Sequence, residues 1–85
     1  MADPVSWLMI RPRWDVVAAD GSKVGAVEDI AADTEKDIWN GLAIATGLFA
    51  KPRYVPAEQV AEITEGTVRL ALSPDQVEQL DEYPV

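Results

Sequence analysis

Cysteine and histidine are both missing from this 85-residue chain. Without cysteine there is no disulfide, no thiolate nucleophile and no cysteine-ligated metal. Without histidine, a serine or threonine nucleophile lacks its usual base within hydrogen-bond reach; lysine or carboxylate bases are not excluded, and nothing in the spacing suggests one. The chain is therefore expected not to be an enzyme: no catalytic, cofactor-binding or metal-ligating residue is assigned. Positive charge is also scarce, with 7 Lys and Arg against 15 Asp and Glu, a net charge of −8. Nucleic-acid affinity rests on Lys and Arg displacing counterions from phosphates, so direct nucleic-acid binding is not expected, whereas a basic protein partner fits the charge. Long apolar runs are lacking too. Trp7-Leu8-Met9-Ile10 is too short for a signal peptide and is preceded by Asp3 where a basic segment belongs. No stretch approaches the roughly 20 apolar residues of a membrane span. The expectation is a soluble cytoplasmic protein with no membrane span.

What is present is strand and turn chemistry. Apolar content is 48%, ordinary for a globular chain, and a chain this short buries only about 60–65% of its unfolded surface. Residues 1–13, with Pro4 and Pro12, read as an N-terminal leader that packs on a domain of residues 14–85 through Trp7, Leu8 and Ile10. Trp14, Val16 and Ala18 alternate with Asp15 and Val17, and Asp20-Gly21 follows as a hairpin turn. The next strand is predicted from about Lys23 to Asp33. Its apolar positions Val24, Val27 and Ile30 are three apart, which a bulge or bend at Gly25 reconciles with a strand. A third strand is predicted over 38–46 and ended by Gly47, a fourth over 53–55 and stopped by Pro56. Ala57-Glu58-Gln59 reads as one helical or 3₁₀ turn, and 60–64 and 67–72 as a hairpin about Glu65-Gly66. Ser73-Pro74-Asp75-Gln76 carries the pattern of a capping box with proline at the first helical position, and Val77 and Leu80 face inward. The sum is an all-β domain of about six short strands, a small barrel or sandwich, with a short C-terminal helix.

Arg11-Pro12-x-x-Asp15-Val16, Asp20-Gly21-x-x-Val24-Gly25-x-Val27, Asn40-Gly41-Leu42, Tyr54-Val55-Pro56, Val60, Val68-x-Leu70 and Ser73 together resemble the PRC-barrel family, over about residues 10–82. That family includes the photosynthetic reaction centre H subunit, the C-terminal domain of the bacterial small-subunit rRNA maturation factor, and stand-alone proteins, which this chain resembles most. The resemblance implies a six-stranded antiparallel barrel that binds or scaffolds. In the maturation factor the barrel engages a ribosomal protein, and in the reaction centre it caps the cytoplasmic face of a membrane complex. No catalytic motif is carried over. Where family members often have glycine, this chain has Arg13.

Three groups of residues could carry function. Asp33, Glu35 and Asp37 alternate as in a calcium loop, but Ile38 stands where that loop needs glycine and Ile44 where it needs glutamate. Glu28 and Asp29 are adjacent on a strand and so point to opposite faces. Lys51-Pro52-Arg53-Tyr54, with Phe49, is a compact basic and aromatic loop suited to an anion. Core packing is expected for Trp14. The third strand is predicted to turn Leu42 and Ile44 inward and to leave Trp39, Gly41, Ala43 and Ala45 outward with no charge among them. Such a face invites a second chain, so a homodimer is expected with Trp7, Trp39, Ala43, Ala45 and Phe49 as candidate interface residues. Gly21, Gly25, Gly47 and Pro56 are assigned to turns and bends. The function expected is protein–protein interaction or scaffolding. The alternative is small-ligand or ion binding through the acidic 28–37 region or the Lys51/Arg53 loop.

Overall fold

A computed structural model of the chain describes residues 7–33, 35–36, 38–47 and 51–82. After a 3₁₀ turn at Trp7–Met9 come β1 (Asp15–Val17), β2 (Lys23–Asp33), β3 (Ile38–Ala45) and β4 (Arg53–Pro56). A second 3₁₀ turn (Ala57–Gln59) leads into β5 (Val60–Thr64), β6 (Thr67–Leu70) and α1 (Pro74–Glu78). All six strands join one sheet in the order β4-β3-β2-β1-β6-β5. β1 to β4 form an antiparallel meander, β5 and β6 a hairpin, and the two units meet where β1 runs parallel to β6, with Val16 opposite Val68.

This corrects the expected antiparallel barrel. The fold is mostly β with six strands and a short C-terminal helix, but the sheet is mixed and does not close, since β4 and β5 stand at opposite ends of the order and do not pair with each other. β1, three residues long, pairs with β2 along one edge and with β6 along the other.

The turns form as their residues dictate. Gly21 sits at φ 88, and its N–H donates to the Ala18 carbonyl at 2.9 Å. The Asp20 carboxylate accepts from the Ser22 N–H at 2.9 Å and the Ser22 hydroxyl at 2.6 Å. These two bonds, the hydroxyl first, hold the Asp20 carboxyl below its ordinary value of 3.8. The capping box is complete: Ser73 Oγ accepts from the Gln76 N–H at 3.2 Å and Gln76 Oε1 from the Ser73 N–H at 2.9 Å. Pro56 is the last residue of β4, a sheet edge, where its missing N–H breaks no ladder. Gly47 lies exposed two residues past β3.

β2 contains the expected irregularity, and more than one. Its pairing with β1 skips Val24, its pairing with β3 skips Glu28, and a further shift falls between Ala31 and Ala32. An extra residue restores the facing of the next one, which is how Val27 and Ile30, three apart, both pack with the core. Gly25 is needed for space rather than for angles. Its φ is not positive, but a Cβ there would overlap the carbonyl oxygen of Ala45.

The core gathers Val16, Val27, Leu42, Ile44, Val55, Val68 and Leu70 from the strands with Ile10, Leu72 and Val77 from the flanking segments. Each such side chain contributes about 1.5–3 kcal/mol on full burial. Ile10 is 1% exposed and Trp7 packs against the core, whereas Leu8, expected to pack with them, is 53% exposed. Trp14 is partly buried against the same core.

Candidate functional site

The outer side of β3 is not an open face. Ala43 has no exposed surface at all, and Gly41 is buried. Tyr54, paired with Ala43 across β4, lays its ring over Gly41: a Cβ at Gly41 would come within 2.9 Å of the Tyr54 ring end and would overlap the Val55 carbonyl oxygen. The Tyr54 hydroxyl donates to the Asn40 carbonyl at 2.8 Å, and Trp39 Nε1 donates to the Gly41 carbonyl at 2.9 Å. Trp7 then stacks on Trp39, with centroids 5.9 Å apart and planes 8° from parallel. The chain's own aromatic residues thus cover the small residues that the sequence pattern leaves outward. Of the candidate interface residues, Ala43 is enclosed, Trp7, Trp39 and Ala45 are partly buried, and Phe49 lies outside the described residues.

Beside this stack the 3₁₀ turn presents the large apolar side chains that remain exposed among the described residues, Leu8 at 53% and Met9 at 51%. Arg11 and Arg13, both exposed, follow directly. Arg11 donates from its guanidinium to the Leu8 and Ile10 carbonyls at 3.2 and 3.3 Å, which ties it to the turn. Arg13 sits at φ 77, a left-handed conformation that costs a non-glycine residue roughly 1–2 kcal/mol. Its N–H bonds the Val27 carbonyl at 2.7 Å, anchoring the approach to β1.

A second surface is a cleft of about 530 Å³ between α1 and the ends of β2, β3 and β4, lined by Lys23, Val24, Thr46, Arg53, Pro74, Val77 and Glu78. The β2 bulge that skips Val24 opens on it. The Lys51/Arg53 pair expected as an anion site is divided by the fold. Lys51 turns to Glu82, with Nζ and carboxylate oxygen 3.6 Å apart. Arg53 donates to the Leu80 carbonyl at 2.7 Å and enters the cleft with Lys23 instead. Lys23 also lies 3.1 Å from an Asp15 carboxylate oxygen, both side chains being more than half exposed, an ion pair of little strength.

Of the acidic 28–37 region, Glu28, Asp29 and Glu35 are exposed. The side chains of Asp33 and Asp37 lie outside the described residues. Among the described residues no three acidic side chains group as a metal site requires, and no helix is long and apolar enough to cross a membrane.

An open six-stranded mixed sheet with a short helix, exposing an apolar turn and a small cleft, defines a small β-rich domain. The chain belongs to the bacterial family described as an uncharacterized protein conserved in bacteria (DUF2171), which matches residues 10–78. This match and the open sheet overturn the PRC-barrel resemblance: the shared pieces are turn and strand chemistry that many small β domains use. No curated protein matches the chain.

Proposed function

We propose that the chain is a non-enzymatic protein–protein interaction module, and that the partner seated on its N-terminal 3₁₀ turn is a second copy of the same chain. The observation that carries this reading is the exposure of Leu8 and Met9, each more than half accessible, on a small domain whose other large apolar residues are at least partly covered among the described residues. Arg11 and Arg13 flank the patch, and a second copy, at −8, has carboxylates in excess to meet them. Twofold pairing lets one patch serve both chains, and a domain of this size gains from the added burial. A basic partner, the other inference from the net charge, suits the acidic remainder of the surface rather than this patch with its two arginines.

Light scattering at two salt concentrations tests the pairing. A two-chain mass is expected, its fraction rising with salt as the net repulsion is screened. Leu8→Asp with Met9→Asp should return a one-chain mass with an unchanged circular dichroism spectrum. A one-chain mass for the natural protein in both buffers at high concentration refutes the pairing.

A second reading, small-ligand binding, has one specific observation in its favour: Arg53 lines a cleft whose volume lies within the roughly 300–1,000 Å³ of small-molecule sites.

A further inference from the structure

We infer that the cleft beneath α1 takes a small zwitterion with an apolar body, the chemistry of a free α-amino acid; this rests on the second reading above. The cleft draws two cations, Lys23 and Arg53, and one carboxylate, Glu78, to one concavity on a chain where acids outnumber bases about two to one. That local reversal of charge favours a carboxylate ligand. The Arg53 guanidinium is anchored on the Leu80 carbonyl at 2.7 Å, and its planar fork keeps further N–H donors for a bidentate carboxylate.

Glu78 has no ion-pair or hydrogen-bond partner among the described residues, and neither does the Thr46 hydroxyl. Glu78 therefore remains available to an ammonium and Thr46 to either polar group. Val24 and Pro74, both half-buried, line the same cleft with Val77, an apolar floor for a side chain. A plain anion such as phosphate leaves both the floor and Glu78 without partners. A cation leaves Arg53 and Lys23 repelling it. A zwitterion with an apolar body meets every element of the lining.

Amide chemical-shift titration of the full chain tests this with four probes: L-leucine, N-acetyl-L-leucine, isopentylamine and inorganic phosphate. Leucine should shift the amides of Val24, Thr46, Arg53 and Val77 in a saturable way. The N-acetyl compound, which lacks the ammonium, and the amine, which lacks the carboxylate, should each bind about tenfold or more weakly, the consequence of losing one charge-assisted contact. Glu78→Gln, a change at an exposed position, should abolish the preference for leucine over N-acetyl-leucine. Lys23→Gln should weaken both. If leucine binds but Glu78→Gln leaves that preference intact, the zwitterion assignment fails. If phosphate moves these amides and leucine does not, the inference fails while a ligand site remains. If no probe moves them saturably, both the inference and the second reading fall.

Discussion

The two ends of the sheet are finished differently. At the β4 edge the segment after α1 returns and completes the ladder: the Tyr54 N–H donates to the Asp81 carbonyl at 2.8 Å, Arg53 forms an antiparallel bridge with Glu82, and the Arg53 side chain reaches the Leu80 carbonyl. At the β5 edge no backbone bond to the outer side is present among the described residues. That edge is kept short, five residues, and carries charge at Glu62, whose carboxylate lies 2.9 Å from Arg69 of β6. An unpaired edge is a template for aggregation, and covering it or charging it are two remedies. This small domain uses both. The covered edge depends on residues far apart in the chain. The charged one depends on a local hairpin.

The glycines of the two sides separate along the same line, and the largest effect is expected where space is the constraint. Gly41, under Tyr54 and against the Val55 carbonyl beside the β4 edge, has no room for even a methyl group. Gly41→Ala should lower stability by about 3 kcal/mol, the upper part of the range for overpacking, read as a fall in denaturation midpoint. A loss under about 1 kcal/mol would mean that β3 and β4 separate freely and that the closed edge is less rigid than described.

Removing the chain from Asp81 onward strips the closed edge of its backbone partners. The expected cost is about 1–2 kcal/mol for two hydrogen bonds, with the Tyr54 amide losing its protection against hydrogen exchange while the amides of β6 keep theirs. Equal loss on both sides would show that the clasp supports the whole domain and not one edge.

Gly66, in the β5–β6 turn, is the opposite case. Open space surrounds it, and its φ is 86. Gly66→Ala should cost about 1 kcal/mol, from left-handed strain alone, so its denaturation midpoint should fall clearly less than that of Gly41→Ala. Arg13 is the mirror of this position, a bulky residue already at φ 77, and Arg13→Gly should raise stability by up to about 1 kcal/mol, read as a higher denaturation midpoint.

The smallest effect belongs to the first turn. Asp20 has its folded-state value held below 3.8 by the bonds from Ser22. A carboxyl depressed in this way adds stability that is present above about 3.8 and is lost as pH falls through the folded value. The gap in midpoint between the natural protein and Asp20→Asn should therefore be constant above pH 5 and narrow as pH falls below about 3.8. A gap that stays constant into acid would assign the turn to backbone geometry without the charge.

Almost every local feature was legible in the chain itself. Asp20-Gly21 and Glu65-Gly66 announce turns because glycine alone accepts those positive φ values cheaply, and Ser73-Pro74-Asp75-Gln76 announces a helix start because its side chains satisfy the first N–H groups. The spacing of Val24, Val27 and Ile30 implied a bulge because side chains alternate along a strand. Neighbours in space were another matter. The parallel β1–β6 pairing joins Val16 to Val68, and no turn residue marks a contact of that separation. The outer side of β3 looked free because alternation says which residues share a face and not what lies on it. Trp7 and Tyr54 come to cover it only once the leader and β4 are folded back. Lys51 and Arg53, neighbours in sequence, part company because Lys51 turns to Glu82 while Arg53, anchored on the Leu80 carbonyl, lines the cleft. Where the backbone turns, extends and caps follows from short stretches of residues, since it depends on the φ/ψ preferences and hydrogen bonds of a few neighbours. The tertiary structure alone decided which strands meet, which surface stays exposed and which charges share a cleft, since those follow from many weak contacts that exist only after the chain has closed its long loops.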